Sequence, residues 1–237
     1  MGKTASEATA GIPPFQPFQR YKATRMYRNN LPHWRQAGAT YFVTFRLGDA
    51  LPPEVAKQIW GAQVRWLKLK GIEWDPDGQW HHAFDALPST DRREYSERFS
   101  RVIHQQLDAG YGECILRIPF LRYEIEASLR HFHKARYWLG DFVIIPNHLH
   151  LLITPLPGQE LEDLLASIKK YSARRINLRR GKSGRRVWQA DSYDHIVRDL
   201  DELKHFRRYI AQNPVEAGLP DQAYTYHRAA WMDAWII

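Results

Sequence analysis

Two histidines at alternate positions are the strongest sign of chemistry in this chain. His148 and His150 follow the break at Pro146-Asn147 and begin an apolar run. Alternate residues of a strand point to the same face of a sheet, so the two imidazoles would lie side by side. Imidazole is a common ligand of divalent metals, and two of them make half of a metal site. The alternative is a pair of polar residues on the solvated face of a half-buried strand.

A tyrosine and an asparagine near the C-terminus are further candidates. Tyr209 and Asn213 lie in a segment that an acidic start at Asp199 and a stop at Pro214 predict to be a helix, and residues four apart share a helix face. A phenol attacks a phosphodiester that a metal polarises, and an amide oxygen is a neutral metal ligand. If this helix packs on the histidine-bearing face, the four side chains converge. The alternatives are a tyrosine at a helix–sheet boundary and a helix C-cap asparagine.

Tyr171 is a competing nucleophile. It lies three residues after Ile168 and seven after Leu164, on or beside the apolar stripe of its predicted helix, so we predict that it packs against the core. The other histidines have no partner at ligand spacing, and we predict surface or hydrogen-bond network positions for them, including His104, His131, His133 and His195.

Positive charge is concentrated in one stretch of the chain. The net charge of +8 favours a polyanionic partner. Between positions 169 and 186 there is no acidic residue, whereas a solvated helix face usually carries both signs. We therefore predict a phosphate-binding surface for DNA, with a solvated helix face as the alternative. This basic block consists of Lys169, Lys170, Arg174, Arg175, Arg179, Arg180, Lys182, Arg185 and Arg186.

The elements that position these residues follow from the hydrophobic periodicity. With a mainly helical insertion at about 52–119 set aside, the order is strand, helix, strand, strand, helix, strand. This order predicts an α+β fold, the ferredoxin-like split β-α-β arrangement, with an antiparallel sheet and helices on one face. The predicted strands cover about 40–47, 137–145, 148–154 and 193–197, and the last helices about 160–178 and 199–212.

The sequence predicts three segments along the chain. We predict a flexible basic N-terminal arm over 1–31, one domain over 32–219 and a C-terminal tail over 220–237. Cys114 is the only cysteine, which excludes internal disulfides and cysteine-rich zinc sites. No apolar run is long enough to span a bilayer and no signal peptide is present, so we expect a cytoplasmic protein with no membrane partner.

Three motifs resemble the single-tyrosine HUH transposases, in particular the IS200-like, REP-associated tyrosine type. They are Pro146-Asn147-His148-Leu149-His150-Leu151-Leu152, then Val187-Trp188-Gln189 with Tyr193-Asp194, then Tyr209-Ile210-Ala211-Gln212-Asn213-Pro214-Val215. The resemblance implies the ferredoxin-like HUH fold and makes His148 and His150 the HUH metal pair, for Mg²⁺ or Mn²⁺. It makes Asn213 the third ligand. It makes Tyr209 the nucleophile that forms a covalent 5′-phosphotyrosine link to single-stranded DNA.

The function implied is a metal-dependent single-stranded DNA endonuclease and strand-transferase that acts on hairpin-forming palindromic DNA. Such a protein would associate with the nucleoid when bound to DNA. Both a monomer and a homodimer are compatible with the sequence. The insertion at 52–119 departs from the shortest family members and would be a DNA-binding elaboration or an oligomer interface. The alternative function is a non-catalytic module of the same fold that binds DNA or RNA hairpins. A metal-dependent hydrolase that uses water as the nucleophile is a weaker hypothesis, because no HExxH motif accompanies the histidines.

Overall fold

The computed structural model describes residue 11 and residues 13–19, 25–28, 32–75 and 80–236. Much of the predicted N-terminal arm (1–10, 12, 20–24 and 29–31) lies outside the described residues. The strands are β1 (Arg25–Arg28), β2 (Pro32–Arg35), β3 (Tyr41–Arg46), β4 (Tyr137–Ile144), β5 (His148–Pro155), β6 (Tyr193–Ile196) and β7 (Thr225–His227). The α-helices are α1 (Pro53–Leu69), α2 (Trp80–Ala86), α3 (Ser89–Asp108), α4 (Pro119–His131), α5 (Leu161–Arg179) and α6 (Leu200–Glu216).

The described residues form a five-stranded sheet in the order β6-β3-β5-β4-β7, together with a separate β1-β2 pair. Every neighbouring pair of strands is antiparallel. The chain reaches β4 from β3 through α4 and reaches β6 from β5 through α5, which makes two crossovers. This is the split β-α-β arrangement of the ferredoxin-like fold, so the predicted α+β fold class is confirmed. No described helix has the length and apolarity needed to cross a bilayer.

Helices cover both faces of this sheet. All eight residues of β4 and all eight of β5 are buried, as in a sheet with two covered faces. On the first face α4 and α5 pack their apolar stripes in one core, which includes Leu129 and Ile168. On the second face α6 packs Leu203 and Ile210 against Phe42 of β3. The two crossover helices therefore share one face, as the split β-α-β order predicts, and α6 lies on the other face.

The C-terminal segment closes the second face of the sheet. Within 220–237, β7 pairs with β4, and Met232 is fully buried in the same core as α6. The register of β4 on β5 shifts between Leu139 and Phe142, next to Gly140. A Cβ at Gly140 would lie 2.7 Å from Met232 Sδ and 2.8 Å from Leu152 Cβ. Glycine at this position therefore lets the C-terminal segment approach the sheet.

The insertion is helical, and it has a core of its own. Residues of α1, α2 and α3 form a separate apolar cluster in which the Trp66 and Tyr95 rings lie 5.0 Å apart and the Tyr95 and Phe99 rings 4.7 Å apart. Helix α3 has 20 residues, a length of about 30 Å. Its other end carries Leu107, which is buried in the core of the first sheet face. Thus α3 links the insertion to the sheet.

Candidate active site

His148 and His150 face each other on β5. Their Nε2 atoms are 3.0 Å apart and both residues are fully buried. They share a sheet face with Leu152, which packs in the core beneath α6. The predicted pairing on one sheet face is confirmed, and the alternative of a solvated face is wrong.

Neighbouring side chains determine where the imidazole protons lie. The Asn147 amide donates through Nδ2 to the carbonyls of Leu107 (3.0 Å) and Tyr111 (3.2 Å), so its Oδ1 faces His148 Nδ1 at 2.8 Å. An amide oxygen only accepts, so the His148 Nδ1 atom carries the proton and Nε2 holds a lone pair. His150 Nδ1 lies 2.8 Å from Thr44 Oγ1, a hydroxyl that can accept in the same way.

Burial also keeps both imidazoles neutral. It lowers the pKa of His148 to about 3, with a further contribution from His104. Burial lowers the pKa of His150 well below its ordinary value, and His148 and His104 add to the effect. Neutral imidazole is the form that binds metals. Both rings are therefore in the ligand form at neutral pH.

Helix α6 brings Tyr209 and Asn213 to the histidine pair. The Tyr209 hydroxyl is 3.4 Å from His150 Nε2 and 3.5 Å from Asn213 Nδ2. Two contacts anchor the helix: Phe206 stacks on Phe42 with ring centroids 4.3 Å apart, and Arg207 Nε donates to Asp141 Oδ2 at 2.9 Å. The expected convergence of the four side chains is present in the structure.

The end of α6 differs from the prediction. The helix continues through Pro214 to Glu216, although the proline has no N–H for the Ile210 carbonyl. The next turn closes through Ala217, whose N–H donates to the Asn213 carbonyl at 3.0 Å. Asn213 is therefore a fully buried residue inside the helix and not a C-cap.

Tyr209 is a neutral phenol in this environment. Burial raises its pKa above the ordinary value, and the negative charges of Asp108 and Glu216 raise it further. The hydrogen bond from Asn213 acts in the opposite direction. Forming the phenolate therefore requires a positive charge nearby.

One polar atom of the site has no partner. No group of the described residues donates a hydrogen bond to the buried Asn213 Oδ1, a condition that costs about 1–3 kcal/mol. Within the described residues, no three histidine, cysteine, aspartate or glutamate side chains form a metal cluster by themselves. Two imidazole Nε2 atoms 3.0 Å apart and one unpartnered amide oxygen nevertheless make a donor set that fits a small divalent cation once both rings present their Nε2 lone pairs.

Two residues of α3 join the site without any signal in the sequence. Asp108 Oδ1 accepts from Asn213 Nδ2 at 3.0 Å and is 3.7 Å from His148 Nε2. His104 Nε2 is 3.4 Å from Thr44 Oγ1, and burial lowers its pKa to about 4. The predicted network position of His104 is correct, and its network is the site itself. Both residues belong to the insertion, where no spacing relates them to the histidine motif.

Tyr171 is not packed in the core. It is 53 % exposed on α5, while Ile168 and Ser172 beside it are buried. A residue three positions after Ile168 lies roughly 60° from it around the helix, at the margin of the apolar stripe, and on α5 this margin faces solvent. The packing prediction is therefore wrong. Among the described residues, no hydrogen bond or ring contact joins Tyr171 to the histidine pair.

Five cations of the basic block bind groups of the protein, and one of them is Arg186, whose Nε donates to the Trp188 carbonyl at 3.1 Å. Lys169 Nζ donates to the carbonyls of residues 189, 190 and 191 at 3.1 Å each and lies 4.9 Å from the Phe45 ring centroid. Burial lowers its pKa to about 8. Arg175 and Arg179 bind Glu124 at 2.8 and 2.7 Å, and Arg180 binds Glu113 at 2.6 Å. Lys169 is a packing residue, and its predicted role at phosphate does not fit this position.

Other cations of the block face solvent. No salt bridge of the described residues involves them, and they are exposed on α5 or on the loop after it: Lys170, Arg174, Lys182 and Arg185. Lys182 and Arg185 also line a cleft of about 500 Å³ together with Arg180 and Arg186. We call the four solvent-facing residues, Lys170, Arg174, Lys182 and Arg185, the open basic face.

Comparison with known proteins finds a family model that matches part of the chain. Residues 124–213 match the family model described as "Transposase IS200 like". An uncharacterized protein of Haemophilus influenzae is 28% identical over 142 residues, which cover 49% of this chain and 72% of that protein. A solved structure, "Structure of the REP associates tyrosine transposase bound to a REP hairpin", has 16% identity and a TM-score of 0.42 and covers 81% of this chain and 76% of that chain. The matched segment holds both histidines, Tyr209 and Asn213.

Proposed function

We propose that this protein is a metal-dependent single-stranded DNA endonuclease and strand-transferase. It would act on hairpin-forming palindromic DNA, as REP-associated tyrosine transposases do, through a covalent 5′-phosphotyrosine intermediate. The observation that supports this best is the position of the Tyr209 hydroxyl, 3.4 Å from His150 Nε2 and 3.5 Å from Nδ2 of Asn213, whose Oδ1 is unpartnered.

The metal of this proposal is Mg²⁺ or Mn²⁺, held by His148, His150 and Asn213. Once bound, the cation supplies positive charge that polarises the scissile phosphate and favours the phenolate. Asn147 and Thr44 keep the Nδ1 atoms of the two imidazoles occupied, so both Nε2 atoms are directed at one point. Such supporting hydrogen bonds fix the orientation of metal ligands.

The strand chemistry needs no other co-reactant. The Tyr209 oxygen bonds to phosphorus, the bond from phosphorus to the 3′-oxygen breaks, and the phenol proton ends on the departing 3′-hydroxyl. The 5′-phosphate stays on Tyr209. Attack by a 3′-hydroxyl reverses the step and restores the phenol, so the same residue cuts and rejoins.

The open basic face would hold the DNA backbone. Exposed cations without an intramolecular carboxylate partner are available to phosphates, and their contacts carry no sequence information. All four residues of the histidine, tyrosine and asparagine set come from one chain, so the site needs no second copy. A homodimer, like the cytoplasmic and nucleoid location, stays a prediction.

A hairpin-binding module without catalysis is the second candidate. The open basic face favours it as much as it favours an enzyme. A pure binder, however, has no use for a phenol beside a pair of buried neutral imidazoles, or for a buried amide oxygen without a partner. This arrangement favours the enzyme.

A labelled hairpin with a single-stranded extension, incubated with Mn²⁺, tests the proposal. We expect the unaltered protein to form a DNA adduct that survives denaturing electrophoresis. Tyr209→Phe should abolish the adduct, because it removes the attacking oxygen and keeps the ring, and DNA affinity measured by anisotropy should stay within about twofold of that of the unaltered protein.

The matched control is Tyr171→Phe, which changes an exposed tyrosine in the same way. It should form the adduct at the normal rate. An adduct that persists in Tyr209→Phe and disappears in Tyr171→Phe would contradict the assignment. No adduct in any protein, with hairpin binding intact, would favour the binding module.

A further inference from the structure

Asp108 is the last residue of α3 and lies beside the histidine pair. Its Oδ1 accepts from Asn213 Nδ2 at 3.0 Å and is 3.7 Å from His148 Nε2. A carboxylate at a helix C-terminus opposes the helix dipole and costs about 0.3–1 kcal/mol. The last turn of α3 has no basic residue to offset this cost. The position is therefore unfavourable for the helix itself.

The contact determines which way the Asn213 amide points. An amide has its donor and acceptor on opposite sides, so the group that binds Nδ2 also decides where Oδ1 is directed. The Tyr209 hydroxyl, at 3.5 Å from Nδ2, is a distant neutral acceptor, whereas the Asp108 carboxylate, at 3.0 Å, is a charged one and binds more strongly. Reversing the amide would place two oxygens against each other. Asp108 thus keeps Oδ1 turned away from itself, buried and unpartnered.

We propose that Asp108 is a positioning residue of the metal site, which orients Asn213 so that its oxygen is presented to the cation. The inference rests on the proposed function, because the cation is the one that function requires. It also assigns a role to the insertion. The apolar core around Tyr95 holds α3, and α3 supplies the acceptor that completes the site.

Calorimetric titration of the full-length protein with Mn²⁺ tests the proposal without relying on activity. Asp108→Ala should weaken Mn²⁺ binding by about 10- to 100-fold, the usual effect of losing a supporting partner of a metal ligand. Asp108→Asn keeps an acceptor oxygen and should stay within about threefold of the unaltered protein. Glu216→Gln is the matched control, because it removes a nearby negative charge from an exposed side chain and should leave the affinity unchanged.

A double substitution separates positioning from other roles. If Asp108 acts through Asn213, Asp108→Ala should have no further effect in an Asn213→Ala background. Thermal unfolding checks that the variants fold. If Asp108→Ala does not fold, Asp108→Ser replaces it, because the serine side chain is too short to reach the amide.

The outcomes are distinct. Unchanged Mn²⁺ affinity in Asp108→Ala would overturn the inference. A loss of affinity in Asp108→Asn as large as in Asp108→Ala would also overturn it, because the charge and not the hydrogen bond would then be decisive. Either result leaves the proposed function intact if the unaltered protein binds Mn²⁺ and forms the adduct. Failure of the unaltered protein to bind Mn²⁺ would instead overturn the metal-dependent function, and the inference with it.

Discussion

His148 and His150 are held in their neutral form by the same burial that makes them useful as ligands. A histidine whose pKa is lower in the folded state than in the unfolded state binds fewer protons when folded, between those two pKa values. The stability that depends on neutral imidazole is therefore complete above the ordinary pKa of 6.5 and is lost as the pH falls towards about 3, the value for His148. Acid should therefore destabilise the folded protein through these two buried imidazoles.

We predict that the free energy of unfolding falls as the pH is lowered from 6.5 to 4, with a slope of up to about 1.4 kcal/mol per pH unit for each such histidine. Urea unfolding at several pH values without added metal measures the slope. His148→Gln should make it shallower, while His205→Gln, at an exposed position of α6, should leave it unchanged. Identical slopes in the three proteins would contradict the prediction.

For individual residues, local spacing predicted part of the site, and tertiary contacts determined the positions of the remaining site residues. Strand alternation placed His148 with His150, and helical spacing placed Tyr209 with Asn213. Asp108 reaches them only because the insertion folds back on the sheet, and no local pattern encodes that path. Lys169 shows the same limit, since a lysine inside a basic run gives no sign that its ammonium group will bind backbone carbonyls.

Helix α5 carries cations with two different uses. Arg175 and Arg179 lie against Glu124, whose side chain is 4% exposed, and they connect α5 to α4. No carboxylate of the described residues pairs with the open basic face on α5 and the loop after it. A run of like charge in the sequence thus divides into a structural part and a part available to an external anion.

Replacing the four residues of the open basic face by glutamine should weaken hairpin binding and flatten its salt dependence. Each phosphate contact contributes roughly 0.7 to the log–log slope for single strands, so the slope should fall by as much as about three. Binding curves at several salt concentrations measure it. Arg175→Gln with Arg179→Gln is the control, and it should lower stability with little change in slope. A slope that fell equally per charge in both variants would show that only net charge matters.

The periodicity of the sequence was sufficient for the order of the elements but not for the faces they cover. The strand and helix spacing correctly predicted the split β-α-β order. It could not place α6, because a strand such as β5, which is buried on both faces, is apolar on both and has no polar side to exclude a helix. The sequence pattern also did not predict that α6 continues through Pro214, because this continuation depends on packing around the buried Asn213.

At the scale of the whole molecule, the described residues form two cores on the sheet and a third in the insertion. The second core contains Ile210 of the tyrosine helix together with Met232 from the C-terminal segment. Arg207 of α6 also binds Asp233 at 2.9 Å. The end of the chain therefore supports the helix that carries the proposed nucleophile.

Met232→Ala should lower the free energy of unfolding by about 2–5 kcal/mol, because it leaves a cavity at a fully buried position. Urea unfolding measures the change. Val215→Ala, at a position of α6 that is 72% exposed, should change it by less than about 0.5 kcal/mol. Equal effects of the two substitutions would show that the C-terminal segment does not stabilise the domain.

The reach of α3 from the insertion to Asn213 has a consequence for how such a protein can be shortened or can diverge. A version cut back to the sheet and its crossover helices would keep both histidines, the tyrosine and the asparagine, yet it would lack the carboxylate that the asparagine amide contacts. We therefore expect the insertion and the asparagine to be inherited together. In relatives without the insertion, another segment should supply the acceptor, or a different side chain should replace the asparagine.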